Sequence, residues 1–182
     1  MNIGDVIVMN ARKGSFYRYL IRWLTGQPYT HTAFGIGNVA GVNSIFEADL
    51  CMATTPTSVT VTDDNIDWEI YEVIGISNEK KLQYVSILYE AYAGETYGFA
   101  QLPWFAYRAL AEQLGYDVRG QKNWSRAGQF CSELTYYLLK MYALDYPALD
   151  ARLNEWTPGT ISPGDIANIC HEFNNIFIRK VI

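Results

Sequence analysis

Hydrophobic positions recur at two different spacings, and the change from one to the other divides the chain. Near the start, Gly4-Asp5-Val6-Ile7-Val8-Met9 is a short β-branched run after a turn signal and predicts a buried strand. Phe16, Tyr19, Leu20, Trp23 and Leu24 then fall at i, i+3, i+4, i+7 and i+8. That spacing predicts a helix opened by Ser15 and ended by Gly26, its five apolar residues inward and Arg18 and Arg22 on the opposite face. Tyr29 to Gly37 and Val42 to Leu50 are β-rich runs joined by a Gly-containing loop, which predicts a hairpin. Residues 52–65 are rich in Thr, Pro and Asp and predict a turn or short edge strand. Ile66 to Ile76 predicts a further strand.

From there the period becomes helical. Ser77 or Asn78 caps a predicted helix from about Glu79 to Ala93, with Leu82, Val85, Leu88 and Tyr89 inward. After a turn at Gly94 to Gly98, Pro103 opens a second helix to about Leu114. A polar connector, Gly115 to Gln129, leads to a third. There Leu134, Tyr137, Leu138 and Met141 share one face of a helix from Cys131 to about Leu144. Pro147, Pro158 and Pro163 punctuate a stretch predicted to be irregular, with a short helical start at Ser162 to Ala167. Asn175 to Ile182 predicts a terminal strand. Strands grouped early and helices late define an α+β chain, expected to form one domain over 1–182.

Composition narrows the function. A chain of 182 residues can bury a sizeable core, and its net charge of −5 is wrong for a nucleic-acid surface. Three widely spaced cysteines make no disulfide framework. The start lacks a signal peptide's basic and apolar regions, and no run is long enough for a transmembrane segment. The expected location is therefore cytoplasmic, with reduced thiols; delivery in a phage particle remains another route. Arg12, Lys13, Arg18 and Arg22 form the most basic patch, a candidate for membrane-surface association.

Several motifs are excluded. Gly35-Ile36-Gly37-Asn38-Val39-Ala40 matches a dinucleotide pattern, but a strand follows it where a helix is required. Asp63-Asp64-Asn65-Ile66-Asp67 lacks the glycine and closing glutamate of a calcium loop. No paired Cys or His spacing suits zinc, and no G-x-S-x-G elbow or Walker loop occurs. The expectation is no metal and no cofactor.

What remains is a thiol. Cys131 stands at the first turn of its helix, where unpaired N–H groups and the helix dipole favour negative charge. Glu133 in the first turn and Lys140 in the last suit that dipole. Only two histidines exist. His171 follows Cys170 directly, and sequence neighbours point too far apart to share a proton. His31, at the head of a strand and distant in sequence, is the better base. If the hairpin loop is Asn38-Val39-Ala40, Glu47 lies opposite His31, and any even register keeps Glu47 and Asp49 on the His31 face. Glu47 is the expected orienting carboxylate and Asp49 its rival.

These residues resemble a known family. Gly4-Asp5-Val6-Ile7-Val8, Tyr29-Thr30-His31-Thr32-Ala33-Phe34-Gly35-Ile36-Gly37, Phe46-Glu47-Ala48, Gly94-Glu95-Thr96-Tyr97, Phe130-Cys131-Ser132-Glu133-Leu134 and Ser162-Pro163-Gly164-Asp165-Ile166 are similar to segments of the NlpC-type papain-like cysteine hydrolases. Having the histidine strand before the cysteine helix resembles the circularly permuted, lecithin:retinol acyltransferase-like branch. The resemblance implies a permuted papain-like fold, its antiparallel sheet packed against the nucleophile helix. It further implies Cys131 as nucleophile, His31 as base, Glu47 as orienter and Tyr97 as a hydroxyl near the oxyanion. The implied substrate is a peptide bond, as in cell-wall peptides, or a lipid ester; a catalytically silent binding module of the same fold is the other alternative. Two departures stand out: a threonine where serine usually precedes the histidine, and a long aromatic segment between Tyr97 and Cys131.

Overall fold

The computed structural model describes residues 1–11, 16–48, 54–58, 66–98, 102–121 and 130–180. Its elements run β1 (Val6–Ala11), α1 (Phe16–Thr25), β2 (His31–Val39), β3 (Val42–Glu47), β4 (Thr55–Ser58), β5 (Ile66–Val73), α2 (Asn78–Tyr92), α3 (Leu102–Gln113), α4 (Cys131–Ala143), α5 (Pro147–Leu153), α6 (Pro163–Glu172) and β6 (Phe177–Lys180). The strands form one six-stranded sheet in the order β4-β3-β2-β1-β5-β6, with every pairing antiparallel. The chain is α+β, and β1 and β2 lie at the centre of its sheet.

Alternation along these strands divides the apolar residues between two faces. Val6, Val8, Phe34, Phe46 and Tyr71 join the main core with Leu134, Leu138 and Tyr142 of α4 and Ile166 and Ile169 of α6. Ile7, Met9, Ala33, Ile45 and Ile70 form a smaller cluster with Met1 and Trp68 on the other face. Helix α4 packs on β2, and α6 on β1 and β2. The helix that begins with Cys131 thus rests on the strand that begins with His31.

The hairpin differs from the expected register in an informative way. Val39 pairs with Val42, leaving Ala40 and Gly41 as a two-residue turn with both φ values positive, 53° and 86°. A bulge between Gly35 and Gly37 then shifts the pairing, so Phe34 faces Phe46. Extending that register places Ala33, rather than His31, across from Glu47. The bulge also turns the odd register at the turn into an even one, and a strand's period of two then keeps His31 and Glu47 on one face.

Three helices depart from expectation. In α1, Tyr19 and Trp23 are each 70% exposed and Ile21 is buried. Ile21 lies about 200° around the helix from Trp23, so among the described side chains of α1 the Ile21 side is inward and the Tyr19 and Trp23 side outward. In α2 the buried residues are Lys81, Tyr84, Val85 and Leu88, while Leu82 and Tyr89 are exposed. Tyr84 sets that phase, and Lys81 fits it by burying its stem and donating from Nζ to the Val73 carbonyl. The Pro147 stretch, expected to be irregular, is α5: Pro147 occupies a first-turn position, and Leu149 and Leu153 are buried one turn apart. Ser162 and Asp165 close a reciprocal capping box at the start of α6, which runs ten residues. Asp49, Asp63 and most of 115–129 fall outside the described residues.

Candidate active site

The first residue of α4 is Cys131. Its N-cap, Phe130, is extended (φ −96°, ψ 149°) and offers no side-chain cap. Phe130 thus caps none of the first-turn N–H groups with its side chain, and Cys131 stands at the positive end of the helix dipole. Cys131 is 0% exposed, enclosed with Ala48, Tyr97, Trp104, Phe105 and Phe130. Within that shell, Tyr97 and Phe105 each pack a ring 5.0 Å from the Phe130 ring. The expected oxyanion hydroxyl, Tyr97, thus lies in the same cluster as the thiol.

His31, its side chain 12% exposed, lies between two acidic groups. Its Nε2 donates to Glu47 Oε2 at 2.7 Å, which leaves Nδ1 free of that bond, and Cys131 lies near enough to act on the ring electrostatically. Burial alone would lower the imidazole pKa, but Cys131 and then Glu47 more than offset it and hold the ring well above the usual histidine value. The sequence-predicted set of Cys131, His31 and Glu47 therefore converges.

The raised value fixes a pH dependence. Imidazolium is favoured by folding, so its stabilisation is complete below the unfolded value of about 6.5. It is lost as the pH rises through the higher folded value. Relative to His31→Gln, the wild-type melting temperature should fall as the pH is raised above about 6.5. Thermal melts of both proteins across that range check the sign; a difference that does not change with pH contradicts it.

A hydroxyl pair ties the base strand to the thiol helix. Thr135 Oγ1 lies 3.0 Å from Thr32 Oγ1 and 3.1 Å from the Cys131 carbonyl, all buried. The single Thr135 hydroxyl proton can be donated to Thr32 Oγ1 or to the Cys131 carbonyl. This clamp is one residue from His31 and one helical turn from Cys131. Thr135→Val keeps the shape but leaves Thr32 without its partner. The expected destabilisation is about 1–3 kcal/mol by denaturant titration, with a fall in turnover if the clamp sets the sulfur–imidazole spacing.

Sequence reasoning also missed Arg108. Its guanidinium leaves α3 for the start of α6: Nη1 donates to Asp165 Oδ2 at 2.7 Å and to the Thr160 carbonyl at 2.8 Å, and Nη2 to Asp165 Oδ1 at 3.2 Å. It also stacks 4.7 Å from the Trp156 ring centroid. Asp165 thus serves both the capping box and the ion pair. Because α3 carries Trp104 and Phe105, this link anchors one wall of the aromatic shell. Close by, a Cβ on Gly164 would lie 2.6 Å from Gln27 Cγ, so glycine there lets α6 abut the loop leading into His31.

The rejected pair behaves as geometry requires. Cys170 is fully buried, and burial followed by the charge of Glu69 pushes its thiol up. The neighbouring His171 instead directs Nε2 at the Tyr71 hydroxyl, 3.0 Å away. Among the described residues, no three His, Cys, Asp or Glu side chains group to hold a metal ion.

No family model matches the chain, and no curated protein matches it. Five solved chains do match it. One is the metalloprotein YiiX of Escherichia coli O157:H7, of the group DUF1105, at 17% identity and a TM-score of 0.51, covering 99% of this chain and 96% of that one. At that identity the likeness is one of fold.

Proposed function

We propose that this chain is a cysteine hydrolase or acyltransferase of the NlpC-type papain-like kind, in the circularly permuted arrangement, acting on an amide or ester bond. The observation that carries this reading is the position of His31, bonded to Glu47 at 2.7 Å on the strand that packs under the Cys131 helix, with Cys131 near enough to act on its ring. Such a constellation activates a nucleophile and fixes the base that serves it.

In the proposed reaction the Cys131 sulfur, as thiolate, attacks the substrate carbonyl carbon. The C–S bond forms, and the carbonyl oxygen takes the negative charge. The backbone N–H of Cys131 and the Tyr97 hydroxyl stabilise that oxyanion. His31, as imidazolium, gives its proton to the leaving nitrogen or oxygen as that bond breaks, leaving a thioester. Neutral His31 then takes a proton from water or another acceptor, whose oxygen displaces the sulfur. Glu47 holds Nε2–H throughout, so Nδ1 stays directed at the reacting atoms.

A peptide of the cell-wall kind is the first substrate to test, and a lipid ester the second. The complete burial of Cys131 favours a different reading, a silent binding or assembly module. An electrophilic acyl probe separates the two. Labelling of folded protein that is lost in Cys131→Ala supports the enzyme, and failure to label it supports the module. YiiX is described as a metalloprotein; no step proposed here for this chain uses a metal.

A further inference from the structure

Helix α1 packs against α3, and both leave large apolar side chains in solvent. On α1 these are Tyr19 and Trp23, with Arg22 exposed between them. On α3 they are Tyr107, Leu110 and, just past its end, Leu114, which with Tyr116 line a mainly apolar groove of about 320 Å³ whose one carboxylate, Asp117, is paired with Arg119. Large uncovered aromatic and leucine side chains mark a contact surface, because a soluble fold gains by burying them.

Charge identifies the occupant. The chain carries −5 overall, yet no Asp or Glu occurs between Asp5 and Glu47, a stretch that holds Arg12, Lys13, Arg18 and Arg22. On α1, which carries no acidic residue, Arg22 thus sets an exposed cation beside exposed aromatic rings within an acidic protein. Trp and Tyr rings suit the headgroup zone of a bilayer, where one edge of the ring is apolar and the other wet. A guanidinium beside them meets lipid phosphate. We propose that α1, with the adjoining surface of α3, docks on an anionic lipid bilayer, its aromatic side chains in the headgroup layer and Arg22 on lipid phosphate. The inference goes beyond the hydrolase reading and does not depend on it. Since α3 also supplies Trp104 and Phe105 to the shell around Cys131, a docked bilayer would lie one helix away from the thiol.

Vesicle flotation of the full chain tests this, using pure phosphatidylcholine and phosphatidylcholine mixed with phosphatidylglycerol. Binding to the mixed vesicles should exceed binding to the neutral ones by about tenfold and weaken as salt rises. Arg22→Glu and the double variant Tyr19→Ala/Trp23→Ala should each lose about tenfold in binding, with circular dichroism unchanged because these side chains are exposed. Cys131→Ala should bind as the parent does, which separates docking from catalysis. Absence of flotation with anionic vesicles at low salt overturns the proposal, as does equal binding by the variants. Sedimentation that shows a dimer dissolved by Tyr19→Ala/Trp23→Ala also overturns it, assigning the face to a second copy.

Discussion

Cys131→Ala should lower turnover of an amide or ester substrate by about 10⁴-fold or more while the protein still folds. Alanine removes the sulfur proposed to form the acyl bond, and what would survive is binding and oxyanion stabilisation. The lost sulfur leaves at most a small cavity at the end of α4. His31→Ala should cost about 10²–10⁴-fold, the usual contribution of a positioned acid–base group. Glu47→Gln should cost less than His31→Ala, because the amide oxygen can still accept from Nε2, and should move the imidazole back toward its ordinary value. Cys170→Ala should leave turnover unchanged, since that thiol is buried and burial holds it protonated. Steady-state kinetics on a peptide and on an ester substrate check all four. Full activity in Cys131→Ala or His31→Ala removes the assignment.

The largest loss of stability is expected from Arg108→Met. The guanidinium is buried in the pair with Asp165, and both side chains are about 10% exposed. Removing one partner leaves the other charge buried and unpaired, which costs about 3–5 kcal/mol. For a chain of this size that is a fall in melting temperature on the order of 10 °C. Asp165→Asn should be milder than Arg108→Met if the amide keeps one bond to the guanidinium. Arg119 is the control: its bonds to Asp117 and Glu155 are exposed, so Arg119→Ala should change stability by about 1 kcal/mol or less. Equal effects of Arg108→Met and Arg119→Ala would show that burial of the pair contributes nothing.

Local pattern made the strands and most helices legible. Val6 to Met9, the hairpin, and the helix that opens at Cys131 all declare themselves by residue type and spacing, and the structure places each within a few residues of expectation. Faces were harder to read. Apolar spacing on α2 predicted Val85 and Leu88 inward correctly but Leu82 and Tyr89 wrongly, and on α1 it misplaced Tyr19 and Trp23, because period alone does not say which neighbour a helix will meet. Pro147 concealed α5, since proline breaks a helix interior but suits a first turn.

Within the candidate site, His31 and Glu47 were legible through parity: the register at the turn is odd, and the bulge at Gly35/Gly37 restores the even register that puts them on one face. Cys131 was legible as the residue that opens a helix. Arg108 and the Thr32–Thr135 clamp were not, because each depends on a partner 50 or more residues away: 57 for Arg108–Asp165 and 103 for Thr32–Thr135. Only folding brings such pairs together.

The most direct measurement is an NMR pH titration of the two imidazoles, with His31→Gln used to assign the signals. If thiol and carboxylate hold a charge on His31 from either side, its ring stays protonated well above pH 6.5 and returns toward that value in Cys131→Ala. A His31 that titrates like a free histidine in the intact protein, and identically in Cys131→Ala, contradicts the account.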